Sequence, residues 1–321
     1  MPLPGGYFVH FPYPPPVFLW VSAISNLPFE IGFFVWTALG LGLAVLVLRW
    51  AGLSWLVIAA GLLSPAALWN IELGQFGIIG GALLVAGILM ARAKPARAGI
   101  FIGLLAAKPQ IGILVPAFLL GDRNKKAALG FSLSVLGQIL LVTWLFGLPL
   151  WRDYLHAGPT GAASMLGMGI TPGSAQSNGV SVLWMLRSLH MSMPTAWSGQ
   201  IACTMLSMGA AIWLWRRGGM ATGQQLLITV LLSLLATPYG YTDDMVALSL
   251  ALAMQAQRRQ WRIGAIDALC WLWPCFCQPV TEWTGILFTP LVVLLALARS
   301  WIEIGHLPAR AMPATPRPTG A

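Results

Sequence analysis

The sequence predicts an all-α, polytopic helical membrane protein with about nine full spans plus one broken helical hairpin. Three observations lead there. Hydrophobic residues make up 58% of the 321-residue chain and charged residues only 8%, too little polar surface for a water-soluble chain of this length. Apolar stretches of about 17–25 residues, the length that crosses a bilayer as a helix, recur along nearly the whole sequence. The basic residues fall singly or in small groups in the gaps between those stretches, as in loops that orient a protein in a membrane. The net charge of +9 is therefore read as topology. The expected partner is the lipid bilayer, and no nucleic acid is expected.

Residues 1–29 form the first unit, expected on the non-cytoplasmic side. Tyr13-Pro14-Pro15-Pro16 is a rigid extended piece, because each proline fixes its own φ. The apolar run from Val17 to Leu27 is too short to span, so a re-entrant or interfacial helix is expected there. Met1 to Asn26 has neither the charged start nor the cleavage pattern of a signal peptide, which points to a truncated N-terminus with a further segment upstream.

Residues 30–301 form the membrane-embedded domain. Apolar runs predict helices over Glu30 to Arg49, Leu53 to Asn70, Gln75 to Ala91, Arg97 to Ala107, Pro109 to Leu120, Lys126 to Gly147, Ala196 to Trp215, Gly223 to Tyr239, Asp243 to Gln257, Ile263 to Gln278 and Trp283 to Trp301. Basic residues bound them at Arg49, Arg92/Lys94/Arg97, Arg123/Lys125/Lys126, Arg216/Arg217, Arg258/Arg259/Arg262 and Arg299, all expected to be cytoplasmic. The clusters on either side of Gly99 to Leu120 share one face only if that stretch enters and returns as a broken hairpin. Residues 302–321, rich in Pro, Ala and Arg, are expected to be a disordered cytoplasmic tail.

Lys108-Pro109 lies at the apex of that hairpin. A charge at membrane depth costs about 3 kcal/mol on insertion scales and is tolerated mainly beside a wet cavity or a partner. Proline disfavours the α region for the residue before it, so one helix should stop near Ala107 and another should start at Pro109. Lys108 would then lie at a helix N-terminus, a place that suits phosphate. The alternative is a lysine that reaches out to the headgroups. Since apolar packing should hold the hairpin, Lys108 is expected to be dispensable for folding.

The other polar residues collect on the same expected outer face: Asn70, Glu72 and Gln75 in one turn, a long loop from Leu148 to Pro194, then Tyr239 to Asp244 and Gln278 to Glu282. With Lys108 they outline a chamber. Asp243 and Asp244 start an apolar helix, where a carboxylate is also favoured as a cap. Adjacent helical residues point about 100° apart, so one is expected to face the chamber and the other to cap or meet solvent. Cys203, Cys270, Cys275 and Cys277 are read as small buried hydrophobes, and the four histidines are dispersed. No metal site and no cofactor is expected.

The order of motifs resembles glycosyltransferase family 87. Tyr-Pro-Pro near the start is followed by Asn70-x-Glu72-x-Gly74-Gln75, then Gly99-x-x-x-Gly103 leading into Lys108-Pro109-Gln110. Gln176-Ser177-Asn178-Gly179-Val180-Ser181 and Thr237-Pro238-Tyr239-Gly240-Tyr241 before Asp243-Asp244 resemble the later blocks. The resemblance implies a C-type glycosyltransferase fold in the plasma (inner) membrane. It implies a hexosyltransferase, mannose being the common sugar, that takes the sugar from a polyprenol-phosphate donor to a lipid or glycan acceptor on the non-cytoplasmic face. Lys108, Gln75, Asn70, Gln110, Asn178, Tyr239 and Tyr241 are then expected to bind substrate. The family's base is expected in a first outer loop upstream of this sequence, which leaves Asp243, Asp244 and Glu72 as the catalytic candidates. A lipid or solute transporter, which would also use a broken helix, and a non-catalytic membrane subunit are the competing readings.

Overall fold

Stop signals in the sequence cut this chain into more helices than its apolar runs suggest. The computed structural model describes residues 13–305 except 172 and 218, and among these it is helical apart from an isolated bridge between Gly179 and Tyr241. Residues 1–12 and 306–321, most of the expected tail among them, lie outside the described residues. The α-helices are α1 Phe18–Val21, α2 Phe29–Trp50, α3 Trp55–Leu62, α4 Pro65–Glu72, α5 Gly77–Met90, α6 Pro95–Gly103, α7 Val115–Asp122, α8 Lys125–Gly167, α9 Val182–Ser188, α10 Met193–Arg217, α11 Thr222–Ala236, α12 Val246–Arg258, α13 Ala265–Thr284 and α14 Thr289–Gly305. Helix α14 runs four residues into the stretch expected to be tail.

Several boundaries follow from local chemistry. Gly52, at φ 87°, ends α2 in a paired reverse turn, with Gly52 N–H donating to the Arg49 carbonyl and Leu53 N–H to that of Leu48. The stretch expected as one helix from Leu53 to Asn70 is two, bent by 56°. Ser54 and Ser64 each cap the start of one, and Pro65 fits a first helical turn that needs no donor.

Among the described residues, length and composition qualify two helices to cross a membrane, α2 and α8, or three spans if the bent pair α3 and α4 is counted as one. Nine full spans are therefore not seen as such. Helices α5 and α11, at 14 and 15 residues, are apolar but short. They are also the best enclosed: in α5 every residue but Leu89 is buried. The outer helices carry exposed large hydrophobics, including Phe34 and Leu39 on α2, Leu140 and Trp144 on α8, and Met205 and Leu206 on α10. A polar interior turn wrapped by such apolar surface suits a lipid solvent.

Small residues set the tightest packing. Helix α6 lies along the first half of α8, where a Cβ on Gly99 would overlap the Ala127 carbonyl and one on Gly130 would overlap that of Ala96. Helix α8 is broken at Gly147, whose φ of 79° and ψ of 171° redirect the remaining residues across one end of the bundle. The long loop expected from Leu148 to Pro194 is thus mostly helix, in the second half of α8 and in α9.

The basic clusters gather at the opposite end. Arg92 after α5 reaches Gln225 at the start of α11, Gln257 of α12 reaches Ser54 before α3, and Arg259 and Arg299 pair with Asp267 and Glu303. Asp122, ending α7, lies within the field of Arg92, so the chain does turn back between α6 and α7.

Substituting Gly99 by Val should lower stability by about 1–3 kcal/mol, because backbone on the facing helix cannot yield to a side chain. Gly137→Ala, at an exposed helical position with nothing within 4 Å, should be neutral or slightly stabilising. Thermal unfolding of the two purified variants in detergent checks the contrast.

Candidate functional site

The residue before Pro109 is held out of the helical region, as a following proline requires. Lys108 has φ −140° and ψ 76°, directly after a 3₁₀ turn over Leu104–Ala107. The following helix does not start at Pro109 as expected. Residues 109–114 form turns, and α7 begins at Val115 with Pro116 in its first turn. Lys108 is therefore not at a helix N-terminus, and its ammonium is met by side chains instead.

Those side chains are the two aspartates. Lys108 Nζ lies 2.6 Å from Asp244 Oδ1 and 3.5 Å from Asp243 Oδ2, and the three side chains are almost fully buried. Both carboxylates converge on one ammonium because Thr242–Met245 is a tight 3₁₀ turn ahead of α12. Of the two alternatives for the aspartate turned away from the chamber, a cap or solvent, the turn uses the cap. Asp244 also caps the turn, its Oδ2 accepting the Tyr241 N–H at 3.3 Å. Asp243 is held from behind by α5, where Gly77 leaves room for the Asp243 carbonyl and for the Asn70 amide. Burial raises the Asp243 carboxyl above the ordinary carboxylate range; Lys108 pulls it down and Asp244 adds to the rise.

Lys108 and Asp243 form part of the wall of a cavity of about 770 Å3, which Gln75, Gln110, Asn178, Tyr239 and Tyr241 line with them. Gln75 is placed by the end of α4. Gly74, at φ 61°, closes a paired stop in which Gln75 N–H donates to the Asn70 carbonyl and Gly74 N–H to that of Ile71. Asn178 Nδ2 donates to Gln278 Oε1 at 2.9 Å, while its own Oδ1 is buried without a partner among the described residues. The Tyr241 hydroxyl is likewise buried and unpaired there. Glu282 accepts from Gly173 N–H and from Gln278 Nε2, both at 2.8 Å, and so ties the segment after α8 to α13 at the rim.

Three of the sequence candidates stand apart from the cavity lining. Asp244 faces a small void beside Ser233 and Thr237. Asn70 is buried beneath Gly77. Glu72 is exposed on a neighbouring groove of about 700 Å3 between α1, α2 and the end of α4.

Structure adds residues that sequence reasoning did not single out. Tyr13 donates to Gln75 Oε1 at 2.6 Å, and Lys108 Nζ lies 5.9 Å from its ring centre. Its only signal was the Tyr-Pro-Pro motif. Trp184 stands against Tyr239 and Tyr241, and Met165 Sδ accepts the Tyr239 hydroxyl at 2.8 Å. These meet across long sequence separations.

Comparison with known families fixes the class of the protein. The model of glycosyltransferase family 87 matches residues 11–238, well over half of the chain. The chain belongs to glycosyltransferase family 87. No curated protein and no solved structure gives a significant match. Membership makes this a membrane glycosyltransferase acting on a sugar donor and an acceptor. The family match takes in Tyr13, Gln75, Lys108, Gln110 and Asn178, and it ends before Tyr239, Tyr241, Asp243 and Asp244.

The pairing argues against the expectation that Lys108 is dispensable for folding. Lys108→Ala leaves two buried carboxylates without a counter-charge and should cost about 3–5 kcal/mol. Adding Asp243→Asn and Asp244→Asn to Lys108→Met should restore most of that stability, though not activity. Thermal unfolding of the single and triple variants separates charge balance from packing.

Proposed function

We propose that the protein transfers a hexose, most plausibly mannose, from a polyprenol-phosphate donor to a lipid or glycan acceptor at the end of the bundle away from the basic loops. The observation that carries this reading is the buried Lys108/Asp243/Asp244 triad beside a cavity whose other polar groups are amides and phenols. Sugar hydroxyls and phosphate oxygens are well matched by neutral amide and phenol donors. Among the described residues Gln75 Nε2 and the Gln110 side chain make no hydrogen bond, and the unpaired Tyr241 hydroxyl belongs to a residue lining the same cavity.

In this proposal Asp243 is the general base. It lines the cavity and is the looser partner of Lys108, whereas Asp244 is engaged by both the ammonium and the Tyr241 N–H. The acceptor oxygen attacks the anomeric carbon, the bond from that carbon to the phosphate oxygen breaks with its electron pair going to phosphate, and the acceptor proton passes to Asp243. With all three side chains ionised the triad carries one net negative charge. Protonation of Asp243 brings it to zero as the leaving phosphate gains charge, so repulsion falls when it would be most costly. Lys108 thus acts as a positioning residue for the carboxylates, since its charge is already balanced and not free for phosphate. Glu72, on the adjacent groove, is a weaker candidate for the base.

The proposed topology has the basic ends cytoplasmic, the cavity non-cytoplasmic, the protein in the plasma membrane and the helices of a C-type fold between. Residues 1–29 would be the outer N-terminal segment and residues 30–301 the membrane domain.

Asp243→Asn should lower kcat by about 10²–10⁴-fold with polyprenol-phosphate-mannose while KM changes little. In the parent enzyme the rate should fall as pH drops through the raised pKa of Asp243, because the base works only when ionised. Asp244→Asn removes a like charge and should move that acid limb to lower pH. Full transfer by Asp243→Asn would return the role to Glu72 or to a group outside the described residues.

Sidedness has its own test. With the exposed Cys275 replaced, a cysteine at Glu72 should react in intact cells with an impermeant thiol reagent, and one at Lys94 should not. The reverse pattern would invert the topology.

A further inference from the structure

At the end of the bundle opposite the cavity, neighbouring basic residues are used unequally. Arg92 donates to Gln225 Oε1 at 2.8 Å. Arg49 donates to the Leu53 carbonyl at 2.6 Å and lies 4.7 Å from the centre of the Trp55 ring. Lys94 and Arg97 make no side-chain hydrogen bond or ion pair among the described residues. Lys94 is the residue just before α6 and Arg97 lies in its first turn. Both line a concavity of about 440 Å3 whose other walls are Trp50, Met90, Ile100 and Phe101. Orientation in a membrane explains why basic residues occur at this end. It does not require two uncommitted cations to converge on an apolar hollow.

We infer that this hollow binds an anionic phospholipid of the surrounding bilayer. The phosphate lies against Lys94 and Arg97, and the first part of the acyl chains runs along Ile100, Phe101 and Trp50. Trp50 is the last residue of α2, one of the helices long enough to cross the membrane, and it is 60% exposed. Tryptophan at such a position marks the headgroup boundary, so the two cations sit at the depth of lipid phosphates. Ile100 is 43% exposed on the same wall, which gives the glycerol and upper chains an apolar surface to cover. A free phosphate would satisfy the cations and leave that wall bare. The site is separate from the sugar cavity and does not depend on how the cavity is read.

Native mass spectrometry of the purified protein in detergent, titrated with phosphatidylglycerol and with phosphatidylcholine, tests this. Phosphatidylglycerol should be retained in preference, and Lys94→Ala/Arg97→Ala should weaken its binding by about 30-fold, roughly fivefold for each cation. Lys94→Arg/Arg97→Lys should keep the preference, which shows that charge and not the fold of α6 was lost in the alanine pair. Ile100→Asn should weaken the lipid, and inorganic phosphate should not displace it from the parent protein. Equal retention of the two lipids, an unaltered phosphatidylglycerol affinity in the alanine pair, or displacement by inorganic phosphate alone would each overturn the proposal.

Discussion

A buried ammonium is stable only when its charge is met at close range, and the functional end of this bundle is arranged around that requirement. Lys108 is placed by a proline that forbids helix at its own position, and its partners come from a tight turn more than 130 residues later in the chain. Each of the three groups alone would carry a large desolvation penalty. Together they specify one arrangement of the α6–α7 connection against the start of α12. The rest of the cavity is built on that registration, since Gln75, Tyr241 and Asn178 are all positioned relative to the same two turns.

Close backbone approach makes the registration possible. Gly77 allows the Asp243 peptide to sit on the start of α5, and Gly99 and Gly130 bring α6 against α8, which sets the depth of the Lys108 turn. In a lipid solvent there is little hydrophobic force between helices, so contact surfaces of small residues and satisfied polar groups carry more of the specificity. Helices α5 and α11 are apolar all round and enclosed, while α2, α8 and α10 turn large hydrophobic side chains outward. The two ends differ in chemistry: clustered arginines and lysines at one, amides, phenols and the buried lysine–aspartate triad at the other. Membership of glycosyltransferase family 87 makes this a membrane glycosyltransferase with a sugar donor and an acceptor, and the cavity at that second end is the site proposed for them.

Much of this was legible in the chain. Composition determined the membrane class and the all-helical architecture, because apolar excess on this scale has no other stable use. Basic punctuation determined which loops share an end, and Lys108-Pro109 marked the turn in the hairpin. The motif order pointed to the family. Asn70-x-Glu72-x-Gly74-Gln75 carried its own local code, a helix stop that needs a glycine with positive φ, and the structure uses it to aim Gln75. Tertiary structure alone decided the rest. Hydropathy averages over a window and cannot see a break such as Ser64-Pro65, so two bent helices were read as one, and a helical stretch after Gly147 was read as loop. Helix geometry treats Asp243 and Asp244 as divergent, yet a 3₁₀ turn and a shared lysine bring them together. Whether a buried lysine binds a ligand or its own carboxylates depends on distances between segments far apart in sequence, and no local pattern encodes those distances.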